Sequence, residues 1–281
     1  MHVKYWGARG SIPTPGPDKS VHGGNTSCVE VTLSDGSELI LDAGTGICEL
    51  GRVRERGTSS VHVLLTHLHL DHIQGLMFFE PLFDPGCGVR VYGPVAFSGG
   101  LLTRLARYIS APLAPIEIRE LPAQVEFEDV SAGSWNVGPA TIEAAFVGHR
   151  GPTLGYRITD GDVTIAYIPD HEPALGQDLD HSNRGWISGM DLARDADLLI
   201  HDCQYTEEEY AGRVGWGHSA VSDTVEFAAR CGARRLALFH HDPLHDDAAV
   251  DAITEAARTL GDGSLERIDA AREGEALEIS A

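Results

Sequence analysis

Residues 66–72 read Thr66-His67-Leu68-His69-Leu70-Asp71-His72, and their types and spacing suit a metal site. Histidines at i and i+2 of an extended stretch point to one side, and the turn after them offers Asp71 and His72 at a neighbouring position, so four donors converge. Such a set can hold two divalent cations. It follows directly on Val61-His62-Val63-Leu64-Leu65, a β-rich apolar run suited to a strand covered on both faces, so the donors begin where a buried strand ends. The chain has 14 histidines in all, and histidine is both a common metal ligand and the usual proton shuttle. Mixed nitrogen and oxygen donors suit zinc first, with manganese or iron as alternatives.

The elements that must position this segment alternate between strands and helices. Strands are expected at 2–6, 27–33 and 37–41, the last two joined by Ser34-Asp35-Gly36, then at 61–65, 89–92, 141–147, 155–159, 163–168, 196–201 and 235–239. Helices are expected at 98–109, 218–231 and 246–260, the last opening on Asp246-Asp247 and ending before Gly261. No repeat and no linker apart from the Pro-rich patch 112–122 divides the chain, so one α/β domain over 1–281 is expected, two sheets lying between helices.

Composition excludes several classes. The 42% hydrophobic content of 281 residues is ample for a core. Lys and Arg number 21 against 42 Asp and Glu, a net charge of −21 that repels a nucleic-acid backbone, so a general DNA or RNA binder is not expected. No window approaches the roughly 18 to 20 apolar residues of a membrane span, and the start lacks a leader pattern, so a soluble cytoplasmic protein is expected. Five scattered cysteines without a CxxC pair argue against a disulfide framework and against a cysteine-based zinc site.

His67, His69, Asp71 and His72 spell HxHxDH, and with this signature the chain resembles the metallo-β-lactamase superfamily over nearly its whole length. The resemblance implies an α/β fold, the metallo-β-lactamase-type four-layer αββα sandwich. It also implies a third histidine after a strand, His149 in Phe146-Val147-Gly148-His149, and a shared aspartate at a strand end, Asp170 in Ala166-Tyr167-Ile168-Pro169-Asp170. A last histidine is implied at His240 in Leu236-Ala237-Leu238-Phe239-His240. By that resemblance one divalent ion is held by His67, His69 and His149, the other by Asp71, His72 and His240, with Asp170 shared. His241 competes with His240, because neighbours in a strand face opposite ways and only one of them can face the ions. His171, beside Asp170, has the same ambiguity and reads as mostly structural. His2, His22, His62, His181 and His245 read as solvated or capping residues.

Leu198-Leu199-Ile200-His201-Asp202-Cys203-Gln204-Tyr205, followed by Gly217-His218-Ser219, resembles the phosphodiesterase branch that includes ribonuclease Z and bacterial cyclic-nucleotide and cyclic-phosphate phosphodiesterases. The segments 6–13, 23–28 and 41–46 resemble it as well. The implied chemistry is attack on phosphorus by a hydroxide bridging the two ions and oriented by Asp71, while His218, held by Asp202, protonates the leaving oxygen. Asn25, Thr26 and Ser27 are candidate donors to a phosphate, whereas Asp42 and Thr45 are expected to stitch the turns beneath the metal loop. Two departures narrow the substrate. Bacterial-type ribonuclease Z carries an RNA-binding arm between the residues matching His149 and Asp170, where this chain has only 20 residues, and it has glutamate where Asp202 stands. A small phosphodiester, first a cyclic nucleotide, is therefore expected as partner, and no long nucleic acid. The alternatives are a lactonase or thioesterase of the same fold, which needs no acid pair, an RNA-processing nuclease, and a non-catalytic metal-binding protein. The resemblance further implies a homodimer, with Leu76-Met77-Phe78-Phe79 at an interface or on a pocket wall.

Overall fold

Among the described residues, runs rich in β-branched and aromatic side chains make fourteen strands, and their apolar faces stack them as buried layers. The computed structural model describes residues 1–54, 60–177, 179 and 184–281; His181 lies outside the described residues. The first half forms β1 (His2–Gly7), β2 (Cys28–Thr32), β3 (Glu38–Leu41), β4 (Ser60–Leu64), β5 (Gly88–Pro94) and β6 (Gln124–Val130). The second half forms β7 (Gly133–Val137), β8 (Ala140–Phe146), β9 (Leu154–Asp160), β10 (Val163–Ile168), β11 (Leu198–Asp202), β12 (Arg235–Phe239) and β13 (Arg267–Ala270), and β14 (Ala276–Glu278) closes the chain. Two seven-stranded mixed sheets result, ordered β14-β1-β2-β3-β4-β5-β6 and β13-β12-β11-β10-β9-β8-β7. The expected strands appear, while β6, β7, β13 and β14 were not expected; all four lie at or next to sheet edges, where little of the strand needs to be apolar.

The helices are α1 (Gly46–Val53), α2 (Leu70–Ile73), α3 (Leu101–Leu105), α4 (Met190–Ala193), α5 (Glu207–Tyr210), α6 (Val221–Cys231) and α7 (Asp247–Leu260). Three apolar clusters define four layers. Val31, Leu39, Tyr156, Ile200 and Phe239 lie between the sheets. Ile47, Leu50, Leu101 and Leu105 pack α1 and α3 on the outer face of the first sheet, and Val225, Phe227, Ile253 and Ala257 pack α6 and α7 on the second. This is the αββα sandwich of the metallo-β-lactamase type. The helix expected at 98–109 shortens to α3, and the one expected from 218 begins at Val221 because Ser219 and Val221 first pair with Tyr205 through backbone bonds. Leu76, Met77 and Phe79 belong to the outer core of the first sheet rather than to an interface or pocket wall; of that run only Phe78 is exposed. No helix among the described residues is long and apolar enough to cross a membrane.

Under the second sheet a buried polar chain crosses the core. The His201 Nδ1–H donates to the Asp202 carbonyl at 2.8 Å, and its Nε2 accepts from His171 Nδ1 at 2.9 Å, whose own Nε2 accepts from Ser188 Oγ at 2.9 Å. Every member is satisfied while both rings stay neutral, and the His201 ring stacks on Phe227 of α6 with centroids 4.7 Å apart. Burial lowers the His201 pKa to about 4. A histidine depressed on folding contributes stability above its ordinary value, and loses it as pH falls through 6.5 toward 4, a total of about 3 kcal/mol. Between pH 7 and pH 4.5 the His201→Gln variant should therefore lose roughly 2–3 kcal/mol less stability than the parent in urea unfolding. Equal losses in the two proteins would show that His201 is not the acid-sensitive group.

Candidate active site

Strand ends deliver the chemistry. His67 and His69 follow β4, His149 follows β8, and Asp71 and His72 lie on the single turn of α2. Asp170 follows β10, Asp202 ends β11 and His240 follows β12; these three strands are parallel neighbours, so their C-terminal ends lie side by side. His240 leaves the strand with φ 61°, a left-handed conformation uncommon outside glycine. The sequence argument from strand alternation therefore does not govern it: this turn, not the alternation, aims its ring. Gly10 leaves room for that ring, since a Cβ there would lie 2.4 Å from it.

All seven residues expected around the ions come together. His67, His69, His149 and Asp170 form one group of donor atoms within 4.8 Å of one another, and Asp71, His72 and His240 form a second. Asp170 stands between them. Its Oδ1 is 3.0 Å from His72 Nε2, and its Oδ2 lies 3.7, 3.6 and 3.5 Å from Nε2 of His67, His149 and His240. Asp71 Oδ2 is 3.1 Å from His240 Nε2 and accepts the Ser11 N–H at 2.7 Å.

Four of the rings are oriented from behind. The Nδ1–H of His72 donates to Asp42 at 2.8 Å, that of His149 to the Gly217 carbonyl at 2.7 Å, and that of His240 to Gln204 Oε1 at 2.9 Å, while His67 Nδ1 is 3.1 Å from the Thr66 hydroxyl. Each Nε2 then faces the cluster. Asp42 also accepts from the Thr66 N–H, the Thr66 hydroxyl and the Tyr167 hydroxyl, so it ties the loop to both sheets. The donor set fits cations: His67 Nε2 is buried without a hydrogen-bond partner, His72 Nε2 and Asp170 Oδ1 face each other 3.0 Å apart, and all three converge. Such groups would be costly in a dry core and are satisfied by a metal ion.

Electrostatics divides the cluster. Burial holds His67, His69 and His149 below their ordinary pKa, so that side is neutral imidazole. Burial also acts to lower His240, but Asp170 and Asp71 outweigh it and push the ring up to about 9; His72 is raised in the same way by Asp170, Asp42 and Asp71. Asp170 itself is held well below the usual carboxylate range, since His240, His72 and His67 overcome its burial.

Next to the cluster, His218 Nδ1 is 2.7 Å from Asp202 Oδ2, and its ring stacks on His240 with centroids 4.8 Å apart. Asp202 is fixed by the N–H groups of His171, Gln204 and Ser219. Neither His218 nor Ser219 caps α6, whose N-cap is Ala220. His241 turns away to the Ala271 carbonyl, and burial lowers it to about 3; His171 is likewise engaged away from the cluster. Several expectations are corrected. Asn25 donates to Glu273, and Thr26 and Ser27 are fully buried, Thr26 in reciprocal bonds with Thr45, so none of the three stands free at the site as a phosphate donor. His22 and His245 are buried rather than solvated, facing Asp251 and Glu209 at 3.0 Å.

Gln204 and Glu172 are positioning residues that sequence reasoning missed. Gln204 stands two residues past Asp202 in a segment already singled out, but nothing in the sequence marks Glu172. Its buried carboxylate accepts the Tyr210 hydroxyl at 2.9 Å and the N–H groups of Gly215 and Gly217, both at 2.7 Å. The Gly217 peptide thus links Glu172 to His149. Gly217 has φ 96°, and a Cβ there would meet His149 Nδ1 at 2.4 Å. Glu172→Gln must turn an NH₂ toward one of these donors, so it should cost about 1–3 kcal/mol of stability and weaken divalent-metal binding about 10- to 100-fold in chelator competition. Tyr210→Phe, which leaves both backbone contacts, should change metal binding little; unaltered affinity in Glu172→Gln would remove this link.

Residues 38–241 match the family described as "Beta-lactamase superfamily domain". Ribonuclease Z of Synechococcus sp. (strain CC9311) is 27% identical over 324 aligned positions, covering 95% of this chain and 96% of the relative. Among solved structures, the metallo-beta-lactamase fold protein YhfI from Bacillus subtilis superposes with a TM-score of 0.70 at 19% identity, covering 98% of each chain. The short form of human tRNase Z gives 0.70 at 20% identity over the whole of both chains. With the family match spanning most of its length, the chain belongs to the beta-lactamase superfamily and is a metal-dependent hydrolase.

Proposed function

We propose that the protein is a dinuclear phosphodiesterase acting on a small phosphodiester, first a cyclic nucleotide. The observation that carries this is the Asp202–His218 pair at 2.7 Å beside the His/Asp cluster, because a phosphodiester needs an acid for its leaving alkoxide whereas a lactone or thioester does not. His67, His69 and His149 would hold one ion and Asp71, His72 and His240 the other, with Asp170 common to both; zinc suits these donors first, then manganese or iron. When bound, two divalent ions supply Lewis-acid polarisation of a phosphate oxygen and a water of lowered pKa. Asp71, fixed by the Ser11 N–H, orients the attacking water. His218 gives the proton on Nε2 to the leaving oxygen, and Asp202 holds the Nδ1–H and stabilises the cationic ring.

An RNA-processing nuclease is the second possibility, favoured by the name of the Synechococcus relative. Three observations weigh against it. The segment between His149 and Asp170 is used up by the β9–β10 hairpin, which leaves no arm. The alignment with that relative spans 324 positions against the 281 residues here, so the relative has segments that this chain lacks. A net charge of −21 gives long RNA little to hold. Nanomolar binding of tRNA at physiological salt would reverse this choice. The proposal carries with it a cytoplasmic location and a homodimer, the latter supported by the exposed rings of Phe78, Phe83 and Phe97.

His218→Ala should keep both metals and lower kcat on a cyclic nucleotide by about 10²- to 10⁴-fold. Bis(p-nitrophenyl) phosphate releases a phenolate that needs little protonation, so its hydrolysis should fall far less. Equal losses on the two substrates, with metal retained, would assign His218 to phosphate positioning instead.

A further inference from the structure

A groove of about 420 Å³ opens beside the cluster, with His67 and His69 at its inner end. Its lining is unusual for this molecule. The chain has 42 acidic residues, yet no acidic residue lines the groove, while Arg104, Arg107 and Arg150 do. Arg104 is paired with Asp129 at 3.2 Å. Arg107 and Arg150 reach only carbonyl oxygens, of Ser98 at 3.4 Å and Gly215 at 2.9 Å, and among the described residues no carboxylate pairs with either. Two exposed guanidinium groups thus keep N–H donors and uncompensated charge for a ligand. The opposite character lies between them: Leu70 and Leu113 are 60% and 68% exposed at the groove, an apolar face left in water. Tyr108 adds an aromatic ring held in place by its hydroxyl, which donates to the Gln74 carbonyl at 2.6 Å.

Apolar walls with a few convergent cations suit a flat ring carrying an anion. We propose that this groove is a specificity subsite for a dinucleotide: the scissile diester sits at the cluster, the neighbouring base lies on Leu70, Tyr108 and Leu113, and a second phosphate is bound by Arg107 and Arg150. This rests on the phosphodiesterase assignment above and narrows it, since a 3′,5′-cyclic mononucleotide has no second phosphate to offer. A terminal 5′-phosphate and the second bridge of a cyclic dinucleotide supply the same chemistry.

The test compares adenylyl-adenosine with and without a 5′-phosphate, which share the scissile bond and leaving group, alongside a cyclic dinucleotide. The metal-replete protein should show a kcat/KM about tenfold or more higher for the 5′-phosphorylated substrate, and Arg107→Ala and Arg150→Ala should each bring that ratio toward one. A ratio near one in the parent, or a ratio unchanged in both variants, would overturn the subsite. If the cyclic dinucleotide alone is cleaved with the same arginine dependence, the second phosphate is a bridging one. If no diester is cleaved at all, the phosphodiesterase assignment fails, and calorimetry on the metal-free protein judges the groove separately. There the 5′-phosphorylated dinucleotide should bind more tightly than its unphosphorylated form, and the arginine variants should abolish the difference; equal binding would overturn the proposal independently of catalysis.

Discussion

Burying the Asp170 carboxylate among the imidazoles of His67, His72, His149 and His240 is the constraint that the remainder of the structure serves. An ionised carboxylate in a dry core is costly unless charge and hydrogen bonds surround it. Here the Nδ1 side of each ring is committed elsewhere, which leaves the Nε2 atoms short of partners other than the carboxylates. Under the proposed metal assignment that shortage becomes the site's affinity. Cations enter where the Nε2 atoms and carboxylates converge, and the shared carboxylate offsets their mutual repulsion.

Holding several rings at fixed angles requires a rigid frame, and the frame is the pair of sheets. Parallel β10, β11 and β12 bring Asp170, Asp202 and His240 to one edge, while β4 brings the histidine loop from the opposite sheet. Tyr167 crosses from the second sheet to Asp42 under the first, and Tyr156 donates to the Leu65 carbonyl just before the loop. The two sheets are thus linked at the floor of the site by buried hydroxyls, whose loss of either partner would leave an unsatisfied group. Glu172 extends the same support outward, joining the loop that carries His218 to the ring of His149.

Much of this was legible in the sequence because local rules suffice for it. The apolar run before Thr66 marks a buried strand, and the donors beyond it fall at its end, so the first half of the cluster follows from periodicity alone. His149, Asp170 and His240 are single polar residues at strand ends, which periodicity does not distinguish, and they came from the family resemblance. What stayed hidden depends on contacts distant in sequence. Glu172 meets loop residues some forty positions away, and Asn25 looks like a free donor until the turn between β13 and β14 brings Glu273 to it. Edge strands such as β7 and β14 escaped because half-exposed strands carry few apolar residues, and Arg107 and Arg150 share a groove only after α3 and the β8 end are packed side by side.

The most direct test of the central claim is the metal content of the parent and of Asp170→Asn, measured as divalent ions per chain after equilibration at controlled free zinc. A carboxylate common to both ions predicts two tightly held ions in the parent and at most one in the variant, with the fold retained by circular dichroism. A variant that holds two ions as tightly as the parent, or a parent that never holds more than one, would contradict it.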